Sequence, residues 1–318
     1  MIGENFTKYQ EMRKVFGKIT EVARELKRPM RVAVAGADAE NILQGVFDAQ
    51  EAGLVEPVLI GSERKIMATL EQLGLQDRQY DLQAVKADTN VVQYAIEMIQ
   101  AGAADALMRG NTQTRDFLLP ILNKANHLVQ PDRLITHVNM LKFEGYDKVL
   151  AISDCTLLVE PSIEQRKQVI RNMTEALNLI GVEKPNLALL ALVEKPSFHM
   201  RDTVEATTII LDHKEEPIAN CNLWGPIAYD LIVSKEAARL KKYDCPYCGE
   251  FDGIVVPSLL AGNLICKLLD THLHSSGCCL LMGATIPIAL TGRSESPEQA
   301  YLSLAGCAAM FAEHLNRR

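Results

Sequence analysis

Ile286-Pro287-Ile288-Ala289-Leu290-Thr291-Gly292-Arg293-Ser294-Glu295-Ser296-Pro297 reads, in that order, as a buried apolar strand, a sharp turn with an arginine in it, and the start of a helix. Ser296 is a good N-cap, Pro297 suits the first helical position because no amide proton is needed there, and Gln299 completes a capping box. A helix start exposes unpaired backbone N–H groups and the positive end of the macrodipole. Arg293, just before it, adds a planar fork that meets a phosphate in two-point contact. The stretch therefore predicts an anion site at the carboxyl end of a strand, where α/β proteins bind ligands. A solvated arginine on a surface loop is the plainer reading of the same residues.

Toward the N-terminus the same order of strand, polar turn and helix recurs. Residues 30–35 are a short apolar run, and Gly36-Ala37-Asp38-Ala39-Glu40 then opens a helix that ends at Gly53. Residues 57–60 form a second strand, 88–100 a helix followed by Gly102, and 104–108 a third strand. Further strands are expected at 134–139, 149–153, 187–193 and 251–256. Ser162-Ile163-Glu164-Gln165 is a capping box, with Val169, Ile170, Met173, Leu177 and Ile180 at helical spacing up to Gly181. The last helix runs from about 297 to about 315. Such alternation predicts an α/β fold, a mostly parallel sheet with helices on both faces.

At 318 residues the chain is long enough for two domains with cores of their own. An apolar fraction of 48% and a charged fraction of 23% are those of a soluble globular protein. A formal net charge of −7 argues against a nucleic-acid partner, since phosphate backbones select basic surfaces. No run reaches the roughly 18–20 apolar residues of a membrane span. Residues 278–290 come nearest, and Gly283 and Pro287 divide them into two strands. Met1-Ile2-Gly3-Glu4-Asn5 lacks the basic-then-apolar layout of a signal peptide. The eight cysteines, Cys155, Cys266, Cys278, Cys279 and Cys307 among them, then read as reduced thiols of a cytoplasmic protein.

Two other strand-to-helix turns carry related chemistry. Arg109-Gly110-Asn111-Thr112-Gln113-Thr114-Arg115-Asp116 crowds hydroxyls and amides between two arginines, or is an ordinary helix start capped by Thr114. In Pro257-Ser258-Leu259-Leu260-Ala261-Gly262-Asn263, Gly262 allows close backbone approach, and Asn263 and Lys267 stand one helical turn apart. The plainer reading there is a capped helix with a solvated lysine.

On these residues the chain resembles the phosphate acetyl/butyryltransferase family, most closely its phosphate butyryltransferase branch. The landmarks are Met108-Arg109-Gly110, where the family usually has lysine for Arg109, then Thr136-His137-Val138 and Ile152-Ser153-Asp154 with Pro161. Val193-Glu194-Lys195 with Met200 and Thr203 follows, then Gly225-Pro226-Ile227-Ala228-Tyr229-Asp230. Pro257 with Gly262-Asn263 and Lys267, and Gly283-Ala284 with Pro287 and Arg293, complete the set across nearly the whole chain. The Gly-Pro-x-x-x-Asp form resembles butyryl-type members.

The resemblance implies a reversible reaction in which acyl-CoA and phosphate give acyl phosphate and CoA, with no cofactor beyond CoA as substrate and no metal. It implies a two-domain fold similar to isocitrate and isopropylmalate dehydrogenases. Residues 1–136 plus about 286–318 would form the first domain and 137–285 the second, with the active site in the cleft between them and a homodimer as the assembly. On this reading Arg293, Asn263 and Ser294 carry catalysis, and Arg109, Asn111, Thr112, Thr114, Asp154, Gly262, Lys267 and Gly292 bind substrate. Arg293 cradles phosphate. Asn263, Thr112 and Thr114 are candidate donors to the thioester carbonyl, which gathers negative charge in the transition state. Holding phosphate and thioester in attack geometry requires no covalent enzyme intermediate.

One departure matters. The family commonly has Ser-Arg where this chain has Gly292-Arg293, and a positive φ at Gly292 would strain a serine there. Acetyl-type members place an aspartate two helical turns beyond that serine as a base for the CoA thiol. Gln299 falls at that position here, and Glu295, Glu298 and Asp154 are the carboxylates that could substitute. The departure keeps open a non-catalytic binder of CoA or acyl phosphate. A metal-dependent dehydrogenase of the same fold is the other alternative, although no Asp-x-x-x-Asp helix or Gly-x-Gly-x-x-Gly is seen.

Cys245-Pro246-Tyr247-Cys248 resembles a glutaredoxin site, yet a strand follows it where that chemistry needs a helix. It reads as a loop with two thiols, or as half of a zinc site completed by His272, His274, Cys278 or Cys279. Trp224 is a turn anchor or an adenine platform, and His137 a satisfied strand-end histidine or an acid–base group. Ile227 and Leu231 offer apolar surface to an acyl chain, or belong to the core.

Overall fold

The computed structural model describes residues 16–24, 26–293 and 295–316. The chain divides into two compact units, Met1–Ile135 with Ser276–Arg318, and Thr136–Ser275.

The first unit runs α1 (Gly17–Arg24), β1 (Met30–Ala35), α2 (Glu40–Glu51), β2 (Val55–Gly61), α3 (Glu63–Leu73), β3 (Asp81–Ala84), α4 (Val91–Gln100), β4 (Ala106–Arg109) and α5 (Thr114–Leu122). β1 pairs in parallel with β2 on one side and β4 on the other, and β2 in turn with β3. A central parallel strand is covered on both faces, which is why Met-Arg-Val-Ala-Val-Ala reads as a near-continuous apolar run. α4 begins three residues later than its apolar pattern suggests. The Asn90 side chain accepts the amide protons of Val92 and Gln93 and so stands outside the helix as its cap.

The second unit runs β5 (Thr136–Lys142), β6 (Leu150–Ser153), α6 (Ile163–Leu179), β7 (Asn186–Leu190), α7 (Arg201–Glu215), β8 (Asn222–Ile227), α8 (Tyr229–Val233), α9 (Lys235–Lys241), β9 (Gly253–Val255) and α10 (Leu259–Leu273). β6, β9, β7 and β8 pair in parallel in that order, and β5 closes one side antiparallel to β6. The capping box at Ser162 and Gln165 forms as its spacing requires. β7 ends three residues before the apolar run does. Its register with β8 shifts between Ala188 and Leu190, and Leu192 beyond it is 77% exposed.

The chain then returns to the first unit as β10 (Ser276–Met282), β11 (Ile288–Ala289) and α11 (Pro297–Asn316). β11 pairs in parallel with β4 and antiparallel with β10. The return comes at residue 276, ten residues before the expected 286. The reason is packing: β10 pairs with β11, and α11 lies so close to it that a Cβ on Gly306 would stand 2.6 Å from the Cys278 sulfur. The strand expected over 286–290 is two residues long, flanked by single bonds from Leu107 N–H to Pro287 O and from Leu290 N–H to Cys279 O. No helix among the described residues is long and apolar enough to cross a membrane.

The turns after β1 and β4 touch backbone to backbone. Gly110 donates to Ala35 O at 3.0 Å, and Asn111 donates to Gly36 O at 2.7 Å. A methyl on Gly110 would meet the Gly36 carbonyl, with its carbon at 2.7 Å and Ala35 O at 2.9 Å. Neither neighbour is a flexible side-chain end. Gly110→Ala should therefore cost about 1–3 kcal/mol of stability as overpacking. Its melting temperature, compared with that of an Ala substitution at Gly17, where a Cβ has open space and φ is not positive, checks this.

Candidate active site

In the first unit the carboxyl ends of β1, β4 and β11 lie side by side, because Ala35 pairs with Arg109 and Ala289 with Met108. Three turns follow from these ends. Arg109 joins two of them: its Nε and Nη2 donate to Thr112 O at 3.0 and 2.6 Å, and its Nη1 donates to Thr291 O at 3.3 Å. Burial, and then the positive charge of Arg293, lower the Arg109 pKa, against the opposing pull of Glu295. The side chain is 5% exposed, so the expectation that Arg109 contacts substrate gives way to a clamp that sets the turns. Asn111 is exposed on the same turn, and the Thr112 hydroxyl is buried with no partner among the described residues. Thr291 Oγ1 is in the same state and carried no signal in the sequence. Thr114 is the first residue of α5, with Gln113 in the cap position, so it does not cap that helix.

Arg293 stands exposed on the third turn, and its guanidinium has no hydrogen bond or ion pair among the described residues. Asn41 of α2 fixes the backbone around it, donating from Nδ2 to Arg293 O at 3.3 Å and to Glu295 O at 2.7 Å. The capping box at Ser296 and Gln299 forms as expected. It consumes the N–H groups of both residues, and Pro297 has none. The helix end thus offers the field of its dipole more than free donors, which leaves Arg293 as the directional group. Gly292 does not have the expected positive φ. A Cβ there would meet only the Glu295 side chain, with Cδ at 2.9 Å, a flexible end rather than backbone. Ser294 lies outside the described residues.

In the second unit Asp154 follows β6 and is 2% exposed. Its Oδ1 accepts from the N–H groups of Thr156, Leu157 and Leu158 at 2.7, 2.6 and 3.3 Å, and its Oδ2 from His137 N–H at 2.7 Å. The carboxylate expected to meet substrate, or to act as a base, instead folds its own loop. Gly262 permits the expected close approach: a Cβ would stand 2.7 Å from Asp154 O and 3.2 Å from Cys155 Cα. One residue on, Asn263 is exposed and donates from Nδ2 to Cys155 O at 3.3 Å. Lys267 is half exposed and lies 3.7 Å from Asp270, the solvated lysine of the plainer reading.

The remaining candidates take their plainer readings. His137 Nδ1 lies 2.7 Å from the Thr156 hydroxyl, Trp224 donates to the Tyr243 hydroxyl at 3.0 Å, and Ile227 and Leu231 are 0% exposed within the core of the second unit. Burial, and then the neighbouring Cys245, push the Cys248 thiol up to about 12, the opposite of a redox nucleophile. Among the described residues no three His, Cys, Asp or Glu side chains group to hold a metal ion.

Mostly parallel sheets packed with helices define an α/β protein, and in the first unit an arginine turn stands beside a helix start. Residues 78–307 match the family model described as phosphate acetyl/butaryl transferase. The chain belongs to this acyltransferase family. It is 28% identical over 295 residues to the phosphate acetyltransferase of Thermotoga maritima, covering 93% of this chain and 99% of that one. It is 28% identical over 284 residues to the phosphate butyryltransferase of Clostridium beijerinckii, covering 89% and 94%. A crystal structure of a branched-chain phosphotransacylase from Enterococcus faecalis V583 shares the fold, with a TM-score of 0.74, 23% identity, and coverage of 89% and 99%.

Proposed function

We propose that the protein transfers an acyl group reversibly between CoA and inorganic phosphate. Family membership supports the reaction class, and one observation supports the phosphate place. Arg293 and Arg109 sit close enough for the charge of one to lower the pKa of the other, and neither has an ion pair among the described residues. A bound dianion would relieve that repulsion. In this reading Arg293 grips phosphate and Arg109 holds the turns in shape. A phosphate oxygen attacks the thioester carbonyl carbon, and the carbonyl oxygen becomes an oxyanion that hydrogen-bond donors stabilise. The C–S bond then breaks, and CoA leaves as a thiolate that takes up a proton.

The test is release of free CoA thiol from acetyl-, butyryl- and isobutyryl-CoA, with and without phosphate. Release that depends on phosphate is expected. No release from any of the three would favour the non-catalytic binder, which the glycine at 292 keeps in view. The butyryl-like Gly225–Asp230 sequence supports a butyryl or short branched substrate, although Ile227 and Leu231 belong to the core and do not line an acyl pocket. Two added methylenes at roughly 0.8 kcal/mol each favour butyryl over acetyl by about tenfold. A higher kcat/KM for acetyl-CoA at saturating phosphate would contradict the butyryl branch. A cytoplasmic homodimer belongs to the same proposal. The exposed leucines 260, 264 and 268, one turn apart on α10, give a self-complementary face some support.

A further inference from the structure

We infer that Cys245 and Cys248 form a redox modification site, at which a small-molecule disulfide such as oxidised glutathione reacts with Cys245 and Cys248 then closes a disulfide bond. The site stands apart from acyl transfer, and neither reading depends on the other.

Residues 246–249 make a turn between α9 and β9. Glu250 N–H donates to Tyr247 O at 2.8 Å, and Gly249 N–H donates to Ile232 O at 3.0 Å, so the turn is fixed against α8. Within it the two sulfurs are neighbours. The Cys245 sulfur accepts the N–H of Tyr247 at 3.4 Å, and it also hydrogen-bonds with the thiol and the N–H of Cys248. Both stand as free thiols, and they differ in access. Of the eight cysteines Cys245 alone is not buried, whereas Cys248 is 6% exposed and belongs to the core with Leu231, Ile232 and Phe251. Burial raises the Cys245 thiol, and the hydrogen bonds on its sulfur oppose that rise by favouring the thiolate. The buried Cys248 thiol is a poor nucleophile toward an incoming molecule, but a sulfur already beside it needs no encounter. This sets the order of events. Cys245 gives its proton to water and attacks one sulfur of the small disulfide. A mixed disulfide forms, and the first small thiolate leaves and takes up a proton. Cys248 then gives its proton to water and attacks the Cys245 sulfur, and the second small thiolate leaves and is protonated. The cysteine pair is oxidised and one small disulfide is reduced to two thiols. The new bond braces the turn on which Trp224 rests. Trp224 Nε1 donates to the Tyr243 hydroxyl at 3.0 Å, and its ring meets that of Tyr247 edge-on at 6.1 Å, just before Gly225-Pro226.

The test is incubation of the whole protein with oxidised glutathione, followed by alkylation of the remaining thiols, intact mass and peptide mapping. Wild type should lose two alkylatable thiols and the mass of two hydrogens, carry no glutathione, and yield one linked peptide joining Cys245 to Cys248. Dithiothreitol should reverse the change. Cys248→Ser should stop at the mixed disulfide, with one glutathione held on Cys245. Cys245→Ser should lose thiols at least about tenfold more slowly than wild type, because the entry sulfur is gone and the remaining cysteines are buried. Cys248→Ala replaces Cys248→Ser if serine in the core lowers the melting temperature, and the wild-type result needs no variant at all. Three outcomes overturn the site. Wild type could keep both thiols under conditions that modify Cys245 in Cys248→Ser. It could hold glutathione on Cys245 without closing the bond. Or Cys245→Ser could be oxidised as fast as wild type, which would place the entry sulfur elsewhere.

Discussion

Arg293→Ala is expected to lower kcat/KM for phosphate by about 30- to 1000-fold, equivalent to about 2–4 kcal/mol of transition-state stabilisation. The side chain is exposed and makes no hydrogen bond or ion pair among the described residues, so the folded protein depends on it little. An exposed side chain of this kind changes stability by about 0.5 kcal/mol or less on truncation. The prediction therefore has two halves, a large kinetic loss and a nearly unmoved melting temperature. Arg293→Lys should restore charge without the planar fork and recover only part of the loss. Arg109→Ala is the contrasting variant. It removes the three bonds to Thr112 O and Thr291 O, so its activity falls together with its stability. Initial rates at varied phosphate and fixed acyl-CoA check both. Normal phosphate saturation by Arg293→Ala would place the anion elsewhere.

What the sequence could show was local. Capping boxes at Ser162 and Ser296 were legible because each needs only residues three apart. The apolar run of β1 was legible because central parallel strands are buried on both faces. Gly262 was legible as a close approach, although nothing in the sequence says that the backbone it meets is that of Asp154 and Cys155. The failures share a cause. Asn41 steadies the Arg293 turn from 252 residues away, and its neighbours in α2 give no hint of it. A carboxylate beside a strand end, Asp154, suggests chemistry in the sequence, but backbone amides that carry no residue identity fill its lone pairs. Gly292 is expected to be glycine for its φ, yet the structure gives it no positive φ, and a Cβ there meets only the flexible end of Glu295.

The carboxylate of Asp154 gives the second large effect, and it falls on stability first. Four backbone N–H groups, those of His137, Thr156, Leu157 and Leu158, converge on one side chain that is 2% exposed. Asp154→Ala leaves these donors without their acceptor, and an unsatisfied buried donor costs about 1–3 kcal/mol. Water can enter the emptied corner and recover part of this, so the expected loss is about 3–5 kcal/mol, the scale of breaking a buried charge network. Asp154→Asn keeps one acceptor oxygen for the three amides on the Thr156 side. It then turns its NH₂ toward His137 N–H, and it should cost less than alanine. Activity should follow stability, because the loop that Asp154 folds also carries the Cys155 carbonyl to which Asn263 is bonded. A group that bound substrate directly would behave differently, raising KM in a protein of unchanged melting temperature. Chemical denaturation of the two variants, beside their kinetics, separates the cases. An Asp154→Ala protein as stable as wild type would return the carboxylate to the substrate.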